Sequence, residues 1–138
     1  MTETRRIMSR PLREADSVRQ GRLDELPAEA VLEGVTRRRL DGTKLTLMHY
    51  SFAPDATHGL HSHVEEQVMM VVHGSVDVHL LDSTRTVATG EYCLIPPRIE
   101  HGVTAGKDGA ELLVVVAPRR TTGYEIRAPA PGENVSPE

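Results

Sequence analysis

The chain of 138 residues has one cysteine, Cys93, so it cannot close an internal disulfide and nothing in it implies an oxidising compartment. It lacks any apolar run near the ~20 residues that span a bilayer, and its arginine-rich start lacks the apolar segment of a signal peptide. A cytoplasmic protein with no membrane contact is the expectation. Strong charge of either sign is absent too: the formal net charge is −4, and no basic stripe supplies the electrostatic footprint that nucleic acid would need. No internal repeat is visible, and the length suits one domain able to bury a core.

What the chain does contain is mostly strand signal. Val35 to Leu40 alternates apolar and basic residues, Asp41-Gly42 reads as a two-residue hairpin turn, and Leu45 to Phe52 alternates again. Pro54-Asp55 marks another turn. Val76, Val78 and Leu80 alternate with Ser75, Asp77 and His79, as in an antiparallel strand with one apolar face. Asp82-Ser83 turns the chain into a short strand from Thr84 to Ala88, and Tyr92 to Ile95 and His101 to Thr104 flank a Pro96-Pro97 corner. Lys107-Asp108-Gly109 reads as a turn, and the unbroken apolar run Leu112 to Val116 as a strand buried on both sides. Many short strands with turn residues between them indicate an all-β sandwich or barrel.

The ends differ in composition from the middle. Residues 1–22 carry Arg5, Arg6, Arg10, Arg13, Arg19 and Arg22 and read as a solvated arm, while Leu23 to Leu32 suggests a short turn or helix packed outside the sheet. From Ala128 onward the tail is proline-rich and polar, which suits a disordered or surface-laid segment. The expected layout is an N-terminal arm over residues 1–32, a β-barrel over 33–121 and a partly disordered tail over 122–138.

One stretch carries chemistry: GLHSHVEEQVMMVVHG, from Gly59 to Gly74. Side chains two apart on a strand share a face, so His61 and His63 can aim both imidazoles at one point, and imidazole is a common transition-metal ligand. The second segment, GEYCLIPPRIEH from Gly90 to His101, adds a third histidine after the proline corner. His49, His58, His73 and His79 belong to no such pattern and read as surface or edge histidines. Cys93 reads as a small buried hydrophobe.

The two segments resemble the paired motifs of the cupin superfamily, G-x5-H-x-H-x3-E-x6-G and G-x5-P-x-G-x2-H-x3-N, separated here by the fifteen residues between Gly74 and Gly90. The resemblance covers roughly residues 33 to 121. It implies a single-domain double-stranded β-helix, or jelly-roll barrel, holding one divalent transition metal (Zn, Fe, Ni, Mn or Co). The implied ligands are His61, His63, Gln67 and His101. Asp55 stands where the first motif begins with Gly, Gln67 where it has Glu, Arg98 where the second has Gly, and Ala105 where it ends with Asn. A positive φ is costly for Asp, so Asp55 suggests a type I turn in place of the type II turn a Gly would permit. Gln67 shares strand parity with His63. Glu66, better by charge but one residue out of phase, is the rival fourth ligand.

The Glu66-Gln67 pair resembles a variant found in small cupins near the pectin-degradation uronate isomerases. Where that pattern has an Asp and a Phe on the last core strand, this chain has Val114 and Val116, and the Arg that follows is matched by Arg120. The acid/base group would then come from Glu66, Glu100 or a metal-bound water. Arg98 and Arg120 are candidates to contact an anionic part of the substrate, although Arg119, Arg120 and Tyr124 also read as an ordinary solvated end. Tyr50, Phe52, Met69, Val114 and Val116 are candidate pocket residues, an apolar lining that suits an aromatic or polyketide-like carbonyl compound.

Three neutral imidazoles and a neutral amide leave the charge of a divalent ion uncompensated, which favours Lewis-acid chemistry over oxidation of the metal. The expectation is a non-redox isomerase, cyclase or lyase acting on a small oxygenated substrate. An O2-dependent dioxygenase is the first alternative, and a non-catalytic ligand-binding or sensor cupin the second. Cupins of this size resemble homodimers, and exposed strand edges give a physical reason for pairing.

Overall fold

The structure, a computed structural model, describes residues 17–121. A short turn of 3-10 helix, Leu23–Glu25, leads into eight strands: β1 (Ala28–Leu32), β2 (Val35–Asp41), β3 (Thr46–Phe52), β4 (Thr57–His61), β5 (Glu66–His79), β6 (Thr84–Ala88), β7 (Tyr92–Ile95) and β8 (His101–Ala117). The arginine-rich start as far as residue 16 and the tail from residue 122, Tyr124 included, lie outside the described residues.

All the pairings are antiparallel, and the two long strands organise them. The second half of β8 pairs β3, and the first half of β5 pairs β7, which gives the run β1-β2-β3-β8-β5-β7. The first half of β8 pairs β4, and the second half of β5 pairs β6, which gives β4-β8-β5-β6. Strands β5 and β8 thus pass from one layer to the other, and the two layers close on each other as a jelly-roll barrel. The passage falls at Gly74 (φ 78°) and Gly109 (φ 75°). A Cβ on Gly74 would lie 2.1 Å from the Gly109 carbonyl oxygen, so this crossing admits no side chain.

Several local expectations are corrected. Ala28–Leu32 is neither turn nor helix but an edge strand paired with β2. The hairpin between β2 and β3 has residues 42–45 in its loop in place of two residues, closed by the Gly42 N–H donating to the Leu45 carbonyl at 2.8 Å. Lys107-Asp108-Gly109 lies within β8, at the bend opposite Gly74. Asp55 takes φ 62°, so the type I expectation fails: the Asp occupies the left-handed conformation the family's Gly would use. A short polar side chain tolerates that region. The turn is fixed from both sides by the Asp55 N–H donating to the Gly106 carbonyl at 3.1 Å and the Ala56 N–H donating to Ala53 at 3.0 Å. Arg98 (φ 65°) does the same at the proline corner, its N–H donating to the His63 carbonyl at 2.8 Å.

Alternation decides what the barrel buries. On β3, Thr46, Met48, Tyr50 and Phe52 face inward, and on β5 Gln67, Met69 and Val71 do so. One part of the interior is aliphatic, with Val71, Val76, Val78, Val103 and Ala105 buried together. Each of these valines contributes about 1.5–3 kcal/mol on burial. The other part carries the polar residues.

Candidate metal centre

His61 ends β4, His101 opens β8 directly opposite it in register, and His63 follows two residues after His61. Their donor nitrogens all lie within 4.8 Å of one another. The ring centroids are 4.3 Å apart for His61 and His101, 5.1 Å for His63 and His101, and 5.6 Å for His61 and His63.

The hydrogen bonds fix the tautomers. The Nδ1 of His61 faces the Gly59 carbonyl at 2.9 Å, that of His63 the Glu65 carbonyl at 2.9 Å, and that of His101 the Ile99 carbonyl at 2.8 Å. A carbonyl only accepts, so each Nδ1 carries the proton and donates it. Each Nε2 is left with a lone pair, the arrangement a metal-ligating histidine needs. The His101 Nε2 is buried and has no hydrogen-bond partner among the described residues. The His63 Nε2 lies 3.1 Å from the side-chain oxygen of Gln67. With the amide oxygen turned to Nε2, the two lone pairs at that separation suit a cation shared between them. The donor set therefore fits a divalent transition metal held by His61, His63, His101 and Gln67.

Burial keeps these rings neutral. It pushes His61 down to about 2, with His101 and His58 adding to the effect, and pushes His101 down to about 4. His63 is lowered first by burial and then by the positive charge of Arg120, while the backbone carbonyl and carboxylate of Glu65 act the other way.

His61, His101 and Gln67 border a cavity of about 30 Å³, room for roughly two waters, and His63 stands off its wall. Tyr50, Phe52, Met69 and Val114 stand on its wall as expected, and Arg120 does too, so its reading as part of a solvated end is corrected. Val116 is fully buried but is not on that wall. Glu66 and Arg98 are exposed. Glu66 pairs Ala117 at the start of β5 with the opposite parity to Gln67, which turns it away from the cluster.

Sequence reasoning missed two site residues. His58, expected at the surface, is 3 % exposed and lines the cavity, its ring centroid 4.5 Å from that of His61. Burial, reinforced by Arg37 and Arg120, pushes it down to about 4. All five residues of β4 are buried, and that lack of alternation hid it. Glu65, passed over for Glu66, is 4 % exposed and lies 3.5 Å from Arg120. Nothing in its spacing distinguishes it; the turn before β5 sets its direction. His79 is buried as well, at 8 % exposure, but on hydroxyl partners far along β5 from the triad.

A jelly-roll barrel with neutral imidazoles converging inside it defines the class: a small β-barrel with a candidate metal centre. The cupin domain family matches residues 48–116, half of the chain, and the chain belongs to that family. Among solved structures it is similar to an RmlC-like cupin from Shewanella frigidimarina (TM-score 0.69, 24 % identity, 75 % of this chain and 94 % of that one). It is also similar to the polyketide cyclase RemF from Streptomyces resistomycificus (TM-score 0.71, 24 % identity, 83 % and 89 %). A third likeness is to KdgF from a Halomonas species (TM-score 0.66, 24 % identity, 70 % and 90 %). At these identities the likeness is one of fold. Comparison with curated proteins gives no match. Among the described residues no helix is long and apolar enough to cross a membrane.

Proposed function

We propose that the protein is a metal-dependent cupin enzyme, a non-redox isomerase, cyclase or lyase acting on a small carbonyl or enol substrate. The observation that carries this reading is the all-neutral donor set, three Nδ1-protonated histidines and the amide of Gln67. A divalent ion held there would supply Lewis-acid polarisation of a substrate oxygen, undiminished by any ligand charge. The chain's own residues do the rest. The small cavity would admit the polar head of a substrate, and Tyr50, Phe52, Met69 and Val114 set an apolar wall against it. Arg120, on the same wall, is placed to hold an anionic or enolic oxygen. His58, neutral and beside His61, is our candidate for proton exchange in place of the outward-facing Glu66. Arg98, exposed and off the cavity wall, remains a candidate substrate contact outside it.

The Glu66-Gln67 pair and Arg120 support a place near the pectin-degradation uronate isomerases, while the aliphatic Val114 supports a less polar substrate than a uronate. The fold likeness to a polyketide cyclase is in keeping with that preference. We also propose a homodimer formed by two copies across the outward face of β5 and β7, where Met70, Val72, Tyr92 and Leu94 are 37 %, 44 %, 73 % and 55 % exposed.

The test is metal substitution without oxygen. Turnover of a carbonyl substrate by the zinc-loaded protein under anaerobic conditions supports the reading. Strict dependence on iron and O2 would make it a dioxygenase, and tight binding with no turnover a sensor.

A further inference from the structure

Two buried charges face the centre without belonging to its donor set. Glu65 and Arg120 are each 4 % exposed, and among the described residues no other carboxylate is in the buried class. The Glu65 Oε1 lies 3.5 Å from the Arg120 guanidinium and 3.4 Å from the His63 Nδ1, so one oxygen faces both. The backbone holds each partner in place. The Glu65 carbonyl accepts the His63 Nδ1–H at 2.9 Å. The segment after β8 turns back over the barrel so that the Arg120 N–H donates to the Thr46 hydroxyl at 3.0 Å and its carbonyl accepts from Arg39.

This arrangement answers an electrostatic difficulty. A guanidinium on the wall of a cavity that also holds a divalent ion is repelled by it, and Gln67 supplies no negative charge to offset either. A buried cation without a partner costs several kcal/mol. Among the described residues Glu65 is the one buried carboxylate, and it faces both Arg120 and, at His63, the centre.

We propose that Glu65 is a positioning residue: its carboxylate bridges Arg120 and His63, screening the guanidinium from the metal centre and holding it on the cavity wall until an anionic substrate group takes it over. This rests on the metal-centre reading above. It makes Glu65, a residue outside the donor set, a determinant of metal affinity and of preference for anionic substrates.

The test is Co(II) affinity, read by competition with a chelator and by the visible spectrum of the ion, on the full chain. Glu65→Gln is expected to weaken binding about 10–100-fold, as loss of a group supporting a ligating histidine does. Adding Arg120→Gln removes the uncompensated cation and is expected to restore affinity to within about threefold of the unaltered protein. If Glu65 only shapes its turn, the double variant stays as weak as the single one, and that result overturns the proposal. Should Glu65→Gln fail to fold, Arg120→Gln alone decides. It leaves the carboxylate beside the centre unopposed and is expected to bind Co(II) about tenfold more tightly, so equal or weaker binding overturns the proposal. Absence of Co(II) binding by the unaltered protein overturns the metal reading itself and this inference with it.

Discussion

The barrel buries histidine in two places, and the two are built differently. His79, at the end of β5, has a hydroxyl opposite each ring nitrogen, Thr104 at 2.8 Å from Nε2 and Thr84 at 3.3 Å from Nδ1, and Thr104 in turn meets Thr57 at 2.9 Å. His101, at the start of β8, pairs Nδ1, and its buried Nε2 has no hydrogen-bond partner among the described residues and lies beside the rings of His61 and His63. A buried polar group left unpaired costs about 1–3 kcal/mol, and the first cluster avoids that cost with protein groups alone. The second is complete only with a further electron-pair acceptor. The His49 Nδ1 also has no hydrogen-bond partner among the described residues, but His49 lies on the opposite face of β3 from Tyr50 and outside the histidine triad.

Removing one histidine from each cluster separates the two. His101→Ala should lower metal affinity strongly, since it removes one of four donors, and relief of its unpartnered Nε2 should offset part of the stability lost with the vacated volume. His79→Ala should act on stability and leave the metal site intact. Titration should find metal affinity within about twofold of the unaltered protein, and denaturant unfolding should find a loss of about 2 kcal/mol from the stranded threonine hydroxyls and the vacated volume.

A second effect concerns the pH dependence of the cluster around the triad. His58 and His101, held down to about 4, and His61, held down to about 2, stay neutral in the folded chain while the unfolded chain takes up protons from about 6.5 downward. The stability of the metal-free protein should therefore be level above about pH 6.5 and fall continuously as the pH drops through 4. Thermal scans across that range check it. Removing His58 with His58→Gln should flatten the acid limb, and an unchanged limb would contradict the burial argument.

The smallest expected effect tests the charge of the donor set. Gln67→Glu adds one negative charge beside His63, so calorimetric titration should show metal binding tightened by about tenfold. If binding is unchanged, Gln67 does not face the ion.

The fold was legible in the sequence wherever alternation held. The boundaries of β6 and β7, that of β3 to within one residue, and the inward set Tyr50, Phe52 and Met69 follow from period-two patterning and the turn residues between strands, while Val114 was marked by the likeness to the family pattern. The triad was legible through its spacing, although His63 lies just past the end of β4 and only His61 and His101 face each other in register. Legibility failed where backbone geometry or tertiary packing overrides residue type. Asp55 and Arg98 accept positive φ because neighbouring hydrogen bonds impose it, so residue type misled at Asp55. The buried strand β4 conceals His58, since nothing alternates there. Glu65 and Glu66 are chemically identical neighbours, and only the entry angle of β5 decides which one faces Arg120. Arg120 itself follows a strand that should have ended in solvent, and the return of the chain over Thr46 brings it inside.

One metal ion is expected where three Nε2 lone pairs and the Gln67 oxygen meet. Anomalous diffraction from crystals of the zinc-loaded chain should show one strong peak per chain, bonded to His61, His63 and His101 through Nε2 and to Gln67 through its side-chain oxygen. A peak at His79, a Glu66 oxygen among the ligands with Gln67 remote, or no peak within the barrel would contradict it.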